Sequence, residues 1–444
     1  MKRYITDSTQ RFAQSRVQVQ PAPITPEMSL VKVYPHVTYQ PFLGFGAALT
    51  EASGHVFARM SAEQREEFLQ LCFGAGGNRY SLCRVSIQSC DFSLAPRAYL
   101  PKRDETLAGF SIDDDWGYVL PLVKEAQRVS PDLQFIASPW SPPAWAKTNR
   151  SMKRGGHLRR DCYGLWARMM ARTLADYRDA GVDIGRVTIQ NEPNAIQTWE
   201  SCQYNAAQER AFLHDHLKPA LHEAGLGHVK TLIWDHNKEG MLDRAAAIMG
   251  DDAAAADVDG VAFHWYSGDH FEALRAAREL VGPYRELIFS EGCDYYSAGD
   301  PWAERPHAEH YAHEVIGDFE AGANAIVDWN ILLDAQGGPN HVGNFCDAPI
   351  MWDAEGGLNV RLPFAYLGHF SRFLQVGARR MLVSRYTSRI ETCGFANPDG
   401  SFALVVLNRS ESAVDFDLTW GVGALGRRIA HLDAPAHSIQ TICW

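Results

Sequence analysis

The sequence predicts an α/β fold: a (β/α)8 TIM barrel carrying an all-β side domain built from both chain termini. Three observations carry that prediction. Between Gly44 and Asn330, eight short and mostly apolar strand candidates alternate with helical segments, the rhythm of a parallel sheet wrapped by helices. The carboxyl ends of those strands carry polar residues, namely Arg84, Ser138, Asn191, Glu192, Asp235, His264, Glu291 and Asn330; in a barrel such ends converge on one mouth. After about residue 380 the helices stop and short alternating strands take over. A doubly wound open sheet competes, but the count of eight and the polar strand ends favour the barrel.

In chain order, Arg16–Gln20 and Leu30–Val33 alternate with period two, as half-buried strands do, with Pro21, Pro23 and Pro26 between them. Gly44–Thr50 is a glycine-rich first barrel strand, and Ser61-Ala-Glu-Gln64 is a capping box for the helix after it. Ser81–Val85 and Leu133–Ser138 are the next strands, and an amphipathic helix runs from Tyr163 to Ala180. The fourth strand, from Arg186, stops at Asn191-Glu192-Pro193, since proline brings no N–H to a ladder. Val229–Asp235, Val261–Tyr266, Leu287–Glu291 and Ala325–Asn330 complete the set. Beyond the barrel, Ile390–Ala396 and Ser401–Leu407 flank the turn Asn397-Pro-Asp-Gly400, and Val414–Leu418 and Ser438–Ile442 alternate. The N-terminal strands have no barrel role, so they are expected to complete this second sheet. The division is then residues 1–40 and 379–444 for the side domain and 41–378 for the barrel.

Composition narrows the function. The 444 residues are 46% hydrophobic and 21% charged, an ordinary globular balance. A net charge of −11 argues against nucleic acid or an anionic membrane as partner. The one basic run, Arg150–Arg160, reads as a solvated loop. Nine scattered cysteines without Cys-x-x-Cys spacing argue against a disulfide framework or a zinc site. Met1-Lys2-Arg3 is followed by no apolar signal region, and no apolar run is long enough to span a bilayer, so a cytoplasmic location is expected. Gly74-Ala-Gly-Gly77 precedes a strand rather than a helix, a poor phosphate loop. His307, His310 and His313 step by three along a helix and read as a solvated face rather than a metal site. No cofactor is expected, and the oligomeric state stays open.

Two glutamates on strands four and seven of an eight-strand ring face each other across the lumen, which suits glycosidic bond cleavage: one acid to protonate the leaving oxygen, one carboxylate to attack carbon or activate water. Aromatic residues gather near the same ends: Trp140 in a proline-rich loop, Trp199, Trp265, Tyr266 and Trp329. One difficulty stands out. In a regular strand Asn191 and Glu192 point to opposite faces, so both serve one site only if the strand breaks its alternation there.

With these residues in hand the chain resembles glycoside hydrolase family 30, the acid β-glucosidase (glucosylceramidase) family. The resemblance rests on an ordered set: Gly44-Phe-Gly-Ala-Ala-Leu-Thr-Glu51, Arg84-Val85, Ser89-Cys-Asp91-Phe-Ser93, Ala137-Ser-Pro-Trp140, Gln190-Asn-Glu-Pro193, His264-Trp-Tyr266, Ser290-Glu-Gly-Cys293, Asp328-Trp-Asn330, Gly337-Gly-Pro-Asn340, Asn344-Phe345 and Leu367-Gly-His-Phe370. It implies a retaining β-glycosidase that hydrolyses β-glucosides or small oligosaccharides by double displacement. Glu192 would be the acid/base and Glu291 the nucleophile. Asn191 would bind the sugar 2-hydroxyl, and Asp91, Trp140 and Trp329 the other hydroxyls. His264, Tyr266 and Asn344 would contact substrate and, with Arg84, orient the carboxylates. Cys293 would be a free thiol beside the nucleophile. Ionised Glu291 is expected to keep Glu192 protonated in the free enzyme. Ala47 and Glu51 depart mildly from the family pattern. Other glycones or modes in the family (β-xylosidase, β-1,6-glucanase, β-fucosidase) compete, as does, outside the class, a non-catalytic sugar-binding barrel.

Overall fold

The structure is a computed structural model that describes residues 1–22, 29–421 and 426–444. Eight parallel strands close into a barrel in sequential order: Gly44–Ala48, Leu82–Ile87, Gln134–Pro139, Arg186–Thr188, Lys230–Asn237, Gly260–His264, Glu286–Glu291 and Ala325–Asn330. Helices on the outside connect them, so both faces of each strand are covered. That is why Leu82–Ile87, Gly260–His264, Glu286–Glu291 and Ala325–Asn330 are buried at every position. The first strand needs its glycines: a Cβ on Gly46 would lie 1.9 Å from the Leu82 carbonyl oxygen, whereas Ala47 fits.

The helices start where side chains satisfy their free N–H groups. Thr50 caps Glu51–Arg59, Ser61 and Gln64 form the expected capping box, and Asn205 with Gln208 form another. The long helix spans Tyr163–Asp179.

The barrel lumen is layered. Leu82, Ile136, Leu232, Ala262, Ile288, Ala325 and Val327 form an apolar plug. Two residues further along, the same inward face carries Arg84, Ser138, His264 and Ser290. Period-two alternation thus stacks a polar layer on an apolar one.

The side domain is one ten-stranded sheet drawn from both termini. Lys2–Thr6 pairs with Ser438–Cys443, and Leu30–Pro41 lies between Arg379–Arg385 and Val414–Trp420. Its core includes Val31, Val33, Met381, Val406, Phe416, Leu418 and Leu432.

Several elements differ from expectation. The alternation at 16–20 is not one strand: Ala13–Arg16 and Gln20–Pro21 are separate and largely exposed, edge pieces with little to bury. Pro23 and Pro26 lie outside the described residues. Arg379–Arg385 and Arg428–Ala434 are strands hidden in sequence by their charged flanks, and Leu333–Asp334, Ile350–Asp353 and Gly357–Val360 form a small extra sheet. The three histidines make no cluster. His307 faces Asp347, His310 faces Asp294, and His313 lies between Glu391 and Asp269.

Candidate active site

The polar layer converges on Arg84, which has no exposed surface. Its guanidinium donates to Glu291 Oε2 at 2.6 Å, to Asn191 Oδ1 and Asp235 Oδ2 at 2.8 Å each, and to Ser138 Oγ at 3.0 Å. One side chain from strand two thus ties together strands three, four, five and seven. Asp235 also accepts from Thr188 at 2.7 Å and from Ser290 at 2.6 Å. His264 bridges the layer to the mouth, with Nε2 3.2 Å from Asp235 Oδ1 and Nδ1 3.4 Å from Glu192 Oε1. Asn330 stays outside this network and accepts from Thr50 at 2.7 Å.

Three strand ends break their alternation to build this. Glu192 adopts φ 47°, in the left-handed region, which turns its carboxylate to the same side as Asn191 and resolves the difficulty posed by the sequence. The backbone still pairs on both sides: Asn191 N–H donates to Pro139 O at 2.8 Å and Glu192 N–H to Asp235 O at 2.9 Å. On strand five, Trp234 (φ 75°) and Asp235 (φ 57°) form a bulge, and the pairing with strand six skips Asp235. The pairing of strands six and seven skips Ser290, so His264 lies opposite Glu291. Such bulges re-aim side chains at barrel rims.

Above the layer opens a cavity of about 260 Å³. Asp91, Trp140, Asn191, Glu192, Tyr266, Glu291, Cys293, Trp329 and Asn344, all expected at the site, line it. Glu192, His264 and Glu291 present atoms within 4.8 Å of one another, so the two carboxylates face each other at close range. Tyr266 donates its hydroxyl to Glu291 Oε1 at 3.0 Å and sits 3.5 Å from Cys293 Sγ. Asn344 donates to Asp91 Oδ2 at 2.9 Å. The rings of Trp140 and Trp329 stack at 5.2 Å, with the Arg84 guanidinium 4.7 Å from the Trp140 ring centre.

Two expected positions need correction. His264 does not line the cavity; it is wholly buried beneath the floor and acts on the carboxylates from below. Trp265 is not at the mouth. It stacks on His310 at 4.4 Å and packs against Phe289, because alternation sends it away from the side of His264. Conversely, His236, Asn237 and Cys346 line the cavity unforeseen. The first two directly follow Asp235, so extending strand five by two residues would have found them. Gln197, in a loop the sequence left unassigned, donates to Glu192 Oε2 at 3.4 Å.

The electrostatics follow from these contacts. Burial opposes charge on His264, but Glu291 and its bonds to Asp235 and Glu192 outweigh it and raise it to about 9. It is therefore an imidazolium at neutral pH, with both ring nitrogens donating. Burial also opposes charge on Asp235, yet Arg84 and His264 hold it far below the usual carboxylate range. Glu291 is pushed up by burial and by Glu192, against the pull of His264 and Arg84. Glu192 is desolvated too, but His264 and His236 bring it below its ordinary value. The order is thus the reverse of the one expected, because two histidines crowd Glu192. The two carboxylates titrate as one unit. Asp91, pushed up to about 8 by burial and Glu291, carries a proton at neutral pH. Cys293, half-buried in the cavity wall, has its thiol pushed up by its contact with Cys346 and by desolvation. The Glu192–His264–Glu291 spacing resembles a metal triad, but His264 already bonds Asp235 and Glu192, and Glu291 is paired with Arg84.

A barrel whose mouth presents two opposed carboxylates beneath tryptophan and polar side chains is the architecture of a glycoside-cleaving enzyme. The comparisons agree. Residues 42–374 match the glycosyl hydrolase family 30 TIM-barrel domain and residues 377–442 the family 30 beta sandwich domain. The chain belongs to glycoside hydrolase family 30 and is a glycosidase. It is 31% identical to the lysosomal acid glucosylceramidase of Mus musculus over 438 residues, 94% of this chain and 83% of the relative. Among solved structures it is similar to SrfJ from Salmonella typhimurium (TM-score 0.96, 38% identity, 100% of this chain and 99% of the other). It is also similar to an endo-β-1,6-glucanase (TM-score 0.89, 26% identity, 100% and 98%).

Proposed function

We propose that the protein is a retaining β-glycosidase acting on β-glucosides, with residues 41–378 as its catalytic unit. The observation that carries this reading is the approach of the two carboxylates, whose atoms come within 4.8 Å across His264. Retaining enzymes hold the pair about 5–5.5 Å apart, whereas inverting ones leave roughly 6.5–9.5 Å for a water.

In this reading Glu291 attacks the anomeric carbon while Glu192 protonates the leaving oxygen, giving a glycosyl ester on Glu291. Water then attacks that carbon with Glu192 as base, and Glu291 leaves as carboxylate. Sugar binding strips water from Glu192 and sets the glycosidic oxygen against it, which favours the acid form there. Arg84 and Tyr266 keep donating into Glu291, which favours the ionised form. Asn191, fixed by Arg84, is placed for the 2-hydroxyl, and Asp91, Asn344, Trp140 and Trp329 surround the remaining hydroxyls. The cavity is below the about 300–1,000 Å³ of clefts that hold drug-sized ligands. That size suits one sugar ring and favours release of single sugars from small glycosides or oligosaccharides. A second reading, cleavage of β-1,6-glucan, is favoured by the similarity to the endo-β-1,6-glucanase.

The test is hydrolysis of aryl β-glucoside, xyloside, galactoside and fucoside by the wild type, Glu291→Gln and Glu192→Gln, with product anomers followed by NMR. The expected result is glucoside cleavage with retention, abolished in Glu291→Gln, and a bell-shaped pH dependence of kcat/KM. Inversion, or full activity in Glu291→Gln, refutes the mechanism; cleavage of another glycoside alone refutes the glucose assignment.

A further inference from the structure

At the opposite end of the barrel, where the strands begin, a second cavity of about 600 Å³ opens against the side sheet. Its walls are the end of the long strand Leu30–Pro41, the last turns of helices Phe271–Val281 and Pro301–Ala321, and the start of strand Arg379–Arg385. It is therefore built jointly by the barrel and the side sheet, far from the glutamates.

The charge in this cavity is out of character for the molecule. Arg275, Arg278, Arg379 and Arg380 face it against only Glu279 and Glu320, an excess of two positive charges in a chain whose net charge is −11. Glu320 compensates part of this charge, lying within electrostatic reach of Arg275 and Arg380. Arg380 pairs with Glu320 at 3.1 Å and lies 3.8 Å over the Tyr39 ring. Arg278 spends its N–H groups on neutral oxygens: the carbonyls of Gly322, Gly282 and Arg285 and the side chain of Asn324. Among the described residues its largely buried charge has no counter-ion, and burial lowers it to about 10. Arg275 and Arg379 stand exposed at the rim, and among the described residues neither forms an ion pair. A largely buried cation without an anion is costly, and cavity walls of low dielectric concentrate the field of such charges on whatever enters.

We propose that this cavity binds a small phosphate-bearing anion. Arg275 and Arg379 would grip it from the rim, over the positive charge of Arg278, with Tyr39 as an apolar wall. A phosphate monoester carries about −1.5 to −2 at pH 7, matching the excess, and guanidinium forks suit its oxygens. Because barrel and sheet both contribute walls, the ligand would tie the two together without touching the catalytic chemistry.

The probe is inorganic phosphate, titrated at constant ionic strength against sodium chloride, with calorimetric binding and the thermal unfolding midpoint as readouts. The wild type should bind saturably and its midpoint should rise with occupancy. Arg275→Ala/Arg379→Ala should raise the Kd about tenfold or more, the loss expected from charge-assisted contacts, and keep wild-type turnover of an aryl glycoside. The single variants should each show part of that loss, and Arg275→Lys/Arg379→Lys should retain more binding than the alanine pair. An equal rise in wild type and double alanine variant would mark the general stabilising action of phosphate on proteins and overturn the proposal. So would absence of saturable binding, or binding only to vesicles of anionic lipid.

Discussion

Replacing Arg84 by methionine tests the polar layer as a whole. The substitution keeps volume but removes four hydrogen bonds, to Glu291, Asn191, Asp235 and Ser138. It leaves Asp235, with no exposed surface, and the nearly covered Glu291 with His264 as their remaining cation. Removing one partner of a buried ion pair costs about 3–5 kcal/mol. For domains of 150–250 residues each kcal/mol is worth about 2–4 °C; in this larger chain a fall of about 5–10 °C in the unfolding midpoint at pH 7 is expected. The sign with pH is fixed by Asp235. In the wild type its folded pKa is depressed, so it contributes stability above its unfolded value near 3.9 that is lost as pH falls. Without Arg84 the folded pKa of Asp235 rises toward the unfolded one, although His264, Ser290 and Thr188 still donate, and Glu291, already raised by burial, rises further, so the variant is penalised more as pH rises. The gap between the two proteins should therefore narrow from pH 7 to pH 4. In activity, Glu291 loses its strongest donor, and the acid limb of the kcat/KM profile should move up by about one unit or more. Scanning calorimetry at several pH values and an aryl glycoside pH–rate series measure both. A midpoint within a degree of wild type at pH 7, with an unmoved acid limb, would refute the reasoning.

Two further outcomes follow from the same network. His264 is raised to about 9, so its contribution to stability is complete below about 6.5 and is lost as pH climbs through 9. At about 1.4 kcal/mol per unit this is roughly 3 kcal/mol at most, and His264→Gln should abolish that alkaline decline in the unfolding midpoint; an unchanged decline would place its cause elsewhere. Asp91→Asn, which alters the partner of Asn344 in the cavity, should lower kcat/KM for an aryl glucoside by about 10–100-fold, the worth of one or two polar contacts to substrate. It should lower the xyloside value less, and equal losses would show that Asp91 does not read the outer hydroxyls.

What the sequence reveals and conceals here has one cause. Regular alternation is legible, and it delivers the eight strands, the apolar plug and the polar residues one step above it, from Leu82 to Arg84 and from Ile288 to Ser290. Consistent use of the same rule would also have removed Trp265 from the mouth, since it follows the inward His264 by one residue. Departures from alternation are not legible. Glu192, Trp234 and Asp235 hold positive φ without glycine to announce it, and each such residue costs about 1–3 kcal/mol. The surroundings hold them there: Glu192 N–H is bonded to Asp235 O at 2.9 Å, so the two irregular strand ends support one another. The same bulge that hid His236 and Asn237 sets Asp235 under Arg84 and brings His236 to within 3.8 Å of Glu192. A regular fourth strand would turn either Asn191 or Glu192 away from the lumen. A regular seventh would do the same to Ser290 or Glu291, leaving Asp235 or the cavity without its partner. The illegible residues are thus the ones the proposed chemistry requires, because bringing two carboxylates together over one imidazolium takes a geometry that an ideal barrel strand does not have.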